Sequence, residues 1–194
     1  MRVLVQGGGY RKLSDHEINE CKKLGEFLAS IGAEIMTGGG TGYPYQIGRA
    51  AVQAGAKVYG RSPARNAKDH EEKYGFKFDG VTDLIYMDKE FSKHAEGLLY
   101  RMQDMQSFAD LVIAIGGTWG TLYELLLSFY HKKTIILIEE FEGATTLFKD
   151  AHTYFGKRGD INPKIHFGPT LIPVKNVNEA IEQLKKIKVG EKKQ

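Results

Sequence analysis

Glu124 is the residue whose surroundings most invite chemistry. It stands just beyond the turn Gly116-Gly117-Thr118-Trp119-Gly120-Thr121. The apolar run Leu111-Val112-Ile113-Ala114-Ile115 before that turn predicts a strand buried on both faces of a parallel sheet. After it, Leu122, Leu125, Leu126 and Phe129 recur at helical spacing. A strand that enters a helix through glycines and threonines leaves backbone N–H groups unpaired. The positive end of the helix dipole lies behind them, which suits a phosphate. A carboxylate beside such a pocket has two readings. Thr121-Leu122-Tyr123-Glu124 fits a capping box, with Glu124 in the first helical turn accepting from the backbone. Alternatively the carboxylate is the reactive group and faces the ligand.

Two further glycine turns follow predicted strands. Gly38-Gly39-Gly40-Thr41-Gly42 comes after Glu34-Ile35-Met36-Thr37, and Gly7-Gly8-Gly9 after Val3-Leu4-Val5. The turns at 38–42 and 117–121 could cradle one phosphate between them, with Gly8 and Gly9 as possible contacts from the first turn. Several common chemistries are missing from the chain. The first turn lacks both the G-x-G-x-x-G spacing of a dinucleotide fingerprint and the acidic residue that should follow it. There is no phosphate-loop motif ending in Gly-Lys-Ser/Thr, and no G-x-S-x-G nucleophile elbow. His70 among scattered carboxylates lacks metal-ligand spacing, so no metal is expected, and no motif asks for a cofactor.

The elements that must hold these turns are legible in order. Ser14-Asp15-His16-Glu17 reads as a capping box opening a helix with the stripe Ile18, Cys21, Leu24, Leu28 and Ile31, closed by Gly32. A short helix over roughly Tyr45 to Ala54 leads to a third strand at Lys57-Val58-Tyr59. Residues 61–80 read as a mobile lid or an exposed helical turn. A fourth strand is expected over Asp83–Met87. A helix over roughly Ser92 to Phe108 should then pack Ala95, Leu98, Met102 and Met105 inward, with Arg101 at the edge of that stripe. Strands follow at Thr134–Ile138 and Leu171–Val174, separated by a helix carrying Leu147, Phe148, Ala151 and Phe155, and by breaks at Pro163, Gly168 and Pro169. A closing helix uses Val177, Ala180, Ile181, Leu184 and Ile187. The alternation predicts one α/β domain over residues 1–188, a doubly wound, Rossmann-like parallel sheet with helices on both faces and a basic tail at 189–194.

Composition narrows the partners. The chain has 194 residues, 42% hydrophobic and 26% charged, with 23 glycines clustered after the strands. Its net charge of +3 is too small to argue for nucleic acid, and no apolar run is long enough to span a membrane. The single cysteine, Cys21, falls at an apolar helix position and reads as a packed thiol. With no leader pattern before the first strand, the cytoplasm is the expected compartment.

The chain resembles the LOG family within the SLOG superfamily: the cytokinin riboside 5′-monophosphate phosphoribohydrolases once labelled possible lysine decarboxylases. That family's mark is P-G-G-x-G-T-x-x-E, preceded by an Arg-Lys pair. Gly117-Thr118-Trp119-Gly120-Thr121-Leu122-Tyr123-Glu124 covers the motif from its first glycine. Gly116 replaces the proline, Thr118 the second glycine and Met102 the lysine. Arg101 keeps the family's offset from the glutamate (124 − 101 = 23). The resemblance implies hydrolysis of the N-glycosidic bond of a nucleoside 5′-monophosphate to free base and ribose 5-phosphate. Glu124 would stabilise an oxocarbenium-like state and orient water. Arg101 would contact the substrate or hold Glu124 ionised. The amides of Gly38, Gly39, Gly40, Thr41 and Gly42, and of Gly117, Thr118, Trp119, Gly120 and Thr121, would bind the 5′-phosphate. It also implies a homo-oligomer. The three replacements point to the alternative, a non-catalytic carrier of a phosphate-bearing ligand such as a nucleotide or the molybdenum cofactor.

Overall fold

The structure, a computed structural model, describes residues 1–9, 12–88, 94–158 and 170–191, with backbone alone at 94, 95 and 189–191. Seven strands form one all-parallel sheet: β1 (Arg2–Gly7), β2 (Glu34–Thr37), β3 (Val58–Arg61), β4 (Asp83–Ile85), β5 (Leu111–Ile115), β6 (Thr134–Ile138) and β7 (Leu171–Val174). Their spatial order is β4-β3-β2-β1-β5-β6-β7. The chain therefore winds outward from β1 in one direction, returns, and winds outward from β5 in the other. The β1–β5 pair, with Gly7 opposite Ile115, is the switch point at which such sheets open a crevice beyond the strand ends.

The strands alternate faces, and so do the helices. Val3, Val5, Ile35, Ile113 and Ile136 face α1 (Asp15–Ser30), α2 (Gly42–Gln53) and α6 (Val177–Glu191). Leu4, Met36, Val112, Ala114 and Leu137 face α3 (His94–Phe108), α4 (Trp119–Tyr130) and α5 (Ala144–Arg158). Both clusters are closed apolar cores. The doubly wound single α/β sheet expected from the alternation is the fold observed.

Local signals explain most boundaries. Ser14 Oγ accepts from the Glu17 N–H at 3.3 Å while Glu17 Oε2 accepts from the Ser14 N–H at 2.8 Å, so the expected capping box opens α1. Gly32, with φ +68°, follows the helix end. Cys21 is fully buried, and burial pushes its thiol up to about 12, as a packed group requires. α2 begins at Gly42, ahead of the expected start near Tyr45. Pro44 lies inside its first turn, where a missing N–H costs nothing. β3 starts one residue later and ends two residues later than the Lys57–Tyr59 reading, and β4 stops at Ile85, because the edge strand has only one partner. The expected helix start at Ser92 and the breaks at Pro163, Gly168 and Pro169 lie outside the described residues, as does the Ala95 side chain.

Two helices turn differently from the expected stripes. On α5 it is Ala144, Thr145 and Phe148 that are buried, whereas Leu147, Ala151 and Phe155 face outward. On α4, Leu125 is buried but Leu126 is exposed, and the inward positions include Thr121, Glu124 and Ser128. Residues 61–80 contain a helical turn, as one of their two readings expects. A π-helical turn, Asp69–Lys73, is anchored by His70, which is fully buried. Its Nε2 donates to the Lys77 carbonyl at 3.4 Å, leaving Nδ1 to accept from the Ser62 hydroxyl at 2.8 Å. Desolvation lowers the His70 pKa, and Phe76 and Phe78 pack on its ring. Of the two readings of residues 61–80, the exposed helical turn is the one observed: Glu71, Glu72 and Lys73 are exposed, while His70 and Phe76 tie the segment to the fold. Among the described residues no helix is long and apolar enough to cross a membrane.

Candidate functional site

The carboxyl ends of β1, β2 and β5 surround a cleft of about 210 Å³. β1 contributes Gln6 and Gly7, the loop after it Gly9, and the turn after β2 Gly38, Gly40 and Thr41. Thr118, Gly120, Thr121 and Glu124 come from the start of α4. Arg101 and Met102 enter from α3, and Phe76 from the anchored segment. Nine of the residues singled out in the sequence thus share one cavity: Gly9, Gly38, Gly40, Arg101, Thr41, Thr118, Gly120, Thr121 and Glu124.

Gly8, Gly39, Gly42, Gly117 and Trp119 are not in the wall. Gly8 and Gly42 hold two turns together: the Gly8 carbonyl accepts from the Tyr43 N–H at 3.0 Å. A Cβ on Gly42 would lie 1.9 Å from that same oxygen. The Gly39 N–H is already donated to Thr37 Oγ1 at 3.1 Å. The Gly117 carbonyl accepts from the Ala144 N–H at 2.9 Å and so ties α5 to the turn. The Trp119 side chain points to solvent, 83% exposed.

The capping-box reading of Glu124 does not survive. Thr118 is the N-cap of α4, so Thr121 already sits within the first turn and Glu124 lies beyond it. Gly116 has φ +56°, a left-handed value closed to proline, whose ring fixes φ near −65°. The turn here is therefore shaped differently from one that begins with proline.

The two helix starts are unequal as anion sites. At α4 the N–H groups of Trp119, Gly120 and Thr121 have no carbonyl four residues back within the helix. At α2, the Tyr43 N–H is spent on Gly8 and Pro44 has none. The positive end of α4 is the stronger anchor for a phosphate, with the β2 turn as its opposite wall.

Glu124 is only 8% exposed. Among the described residues no group donates a hydrogen bond to its carboxyl. Desolvation raises its pKa from the ordinary 4.5 to about 7, against the pull of the Arg101 guanidinium. At neutral pH the group is thus poised between acid and carboxylate. Arg101 is held by its Nη1, which donates to the Gly38 carbonyl at 3.0 Å and reaches the Arg61 carbonyl at 3.5 Å. Arg61 in turn holds α3 through Asp104 at 2.6 Å and the residue after β4 through the Tyr86 carbonyl at 2.5 Å.

Gln6 escaped the sequence reading. It is buried, and its amide donates to Ser128 Oγ at 3.1 Å and to the Glu124 carbonyl at 3.5 Å, fixing the turn of α4 that carries the carboxylate. The available signal was a polar residue directly after Val3-Leu4-Val5. No His, Cys, Asp and Glu cluster among the described residues could hold a metal.

The sequence profile of the SLOG cluster4 family matches residues 1–159. The chain belongs to the SLOG cluster4 family. No curated protein sequence matches it. The fold of this SLOG cluster4 chain is shared with solved structures at low identity. The structural-genomics target TM1055 superposes with a TM-score of 0.71 at 20% identity, over 95% of this chain and 98% of that one. The molybdenum cofactor binding protein from the phototrophic bacterium Rippkaea orientalis gives 0.70 at 21% identity, over 96% of each chain. DNA processing protein A from Helicobacter pylori, described for its single-stranded DNA binding, gives 0.63 at 16% identity, over 96% of this chain and 80% of that one.

The carboxylate's position has a thermodynamic signature. Between pH 4.5 and about 7 the folded state holds a proton on Glu124 that the unfolded chain has released. Stability therefore falls as pH rises through that window, by on the order of 3 kcal/mol for this group. Urea unfolding at pH 5 and pH 8 should show Glu124→Gln gaining stability over wild type at pH 8 and little at pH 5. An equal difference at both pH values would place Glu124 in water.

Proposed function

We propose that the cleft binds a nucleoside 5′-monophosphate and hydrolyses its N-glycosidic bond, yielding free base and ribose 5-phosphate. The observation that carries this reading is a desolvated carboxyl, facing an arginine, one helical turn from a free helix N-terminus. The α4 amides hold the 5′-phosphate, which sets the ribose towards Glu124. As the base departs, positive charge grows on the sugar ring, and the ionised form of Glu124 stabilises it and takes a proton from the attacking water. The proton balance closes on the departing base. A pKa near neutrality suits this task, because the group both ionises and accepts a proton at working pH. Arg101 favours the ionised form and orients the substrate's polar groups.

A second reading has its own support. Met102 in the wall removes a cation, and Thr118 and the left-handed Gly116 reshape the phosphate turn. In that reading the protein retains a phosphate-bearing ligand intact, as a carrier does.

Self-association is part of the proposal. Trp119, Tyr123, Leu126 and Tyr130 form one exposed stripe at helical spacing along α4, with Leu147 and Phe155 exposed on neighbouring α5. A second copy of the chain covers this stripe, close to the mouth of the cleft. Sedimentation velocity should give a dimer or larger species, and Trp119→Glu with Leu126→Glu should give the monomer. A monomeric wild type at micromolar concentration contradicts it.

The chemical reading is tested by incubating the protein with AMP, CMP, GMP and UMP and assaying free base. Release is expected from at least one, with a rate that rises with pH through an ionisation near 7. Glu124→Gln should lower kcat at least about 100-fold while phosphate binding changes little. Tight ligand retention with no release from any monophosphate would establish the carrier instead.

A further inference from the structure

A second cavity, of about 310 Å³, is lined by the same glycine turn. Gly40 and Thr41 line both cavities, so this turn is a wall common to the two. The Thr41 hydroxyl donates to the Gly9 carbonyl and ties that wall to the loop after β1. The charged lining of the second cavity differs from that of the first. Lys12 and Lys77 both line it, and among the described residues no carboxylate does. Tyr45 and Gln46, from the start of α2, add polar groups. The nearby acid, Asp79, is already engaged by the Tyr45 hydroxyl at 2.8 Å and by Arg49 at 3.0 Å. Lys77 is carried by the His70-anchored segment, whose carbonyl at 77 accepts from the buried imidazole. Two lysines line one concavity, and among the described residues no acid shares its wall, so the lining is locally positive.

We infer that this cavity is a subsite for a second phosphoryl group of the same ligand. The preferred substrate is then a nucleoside 5′-phosphate that carries a second phosphoryl group, with the plain monophosphate as the weaker one. This inference rests on the reading of the Glu124 cleft as a nucleotide site and specifies its substrate class. One phosphoryl sits on the N-terminus of α4. The other passes the Thr41 wall and meets Lys12 and Lys77, which bind it as point charges. Two kinds of molecule share that chemistry, nucleoside bisphosphates and pyrophosphate-linked dinucleotides.

Isothermal titration calorimetry with three probes separates them: AMP, adenosine 3′,5′-bisphosphate and diadenosine diphosphate. Wild type should bind one of the two-phosphoryl probes about tenfold more tightly than AMP, and the probe that gains identifies the source. Lys12→Ala combined with Lys77→Ala should erase that gain and leave AMP affinity within about twofold. Both side chains are exposed, so the double variant keeps the fold. The gain should also shrink as salt rises. Equal affinity for all three probes, or a gain that persists in the double variant, overturns the subsite. Base release from AMP without such a gain defeats the subsite alone. Lysine-dependent binding of a two-phosphoryl probe without any base release supports the subsite and defeats the hydrolase reading.

Discussion

A carboxyl group taken out of water must find a countercharge or keep its proton, and Glu124 sits between those outcomes. Desolvation drives its pKa up, while Arg101 pulls the other way without cancelling the effect. Much of the surrounding architecture maintains this balance. Gln6 and Ser128 grip the backbone of α4 at the carboxylate. Arg61 and the Gly38 carbonyl hold the guanidinium opposite. Phe76, backed by the buried His70, closes the side of the cleft. A carboxylate free to swing into solvent would relax to an ordinary acid and lose its use as a base near neutrality.

The topology makes that arrangement possible. Only at the β1–β5 switch point do helices leave the sheet in opposite senses, so that α2 and α4 both start at the same crevice from opposite faces. The starts are not equivalent, because α2 has the Tyr43 amide tied to the neighbouring turn and a proline beside it, whereas α4 has neither. An anion is thereby directed to the α4 side, next to the carboxylate.

Much of this was legible in the residues. β5 and β6 are unbroken apolar runs, and a run buried on both faces leaves little choice of boundary. Ser14 and Glu17 announced α1 because a capping box is local. α4 misled for a physical reason: its inward face is polar where it lines the cleft, and its outward face is apolar. Periodicity therefore placed Leu126 in the core and left Glu124 a cap as one of its two readings. Gln6, Phe76 and the burial of His70 depend on contacts between distant segments, which no local pattern encodes. Gly116 could be seen as a departure from the LOG motif, but only its left-handed φ shows that proline could not take its place.

The account's central claim is that Glu124 is held dry and opposite Arg101. It is tested most directly by following the ¹³C carboxyl resonance of Glu124 through a pH titration, assigned by its loss in Glu124→Gln. A midpoint near 7 is expected in wild type, moving higher in Arg101→Met as the stabilising charge is removed. A midpoint near 4.5, or one indifferent to Arg101, would contradict the account.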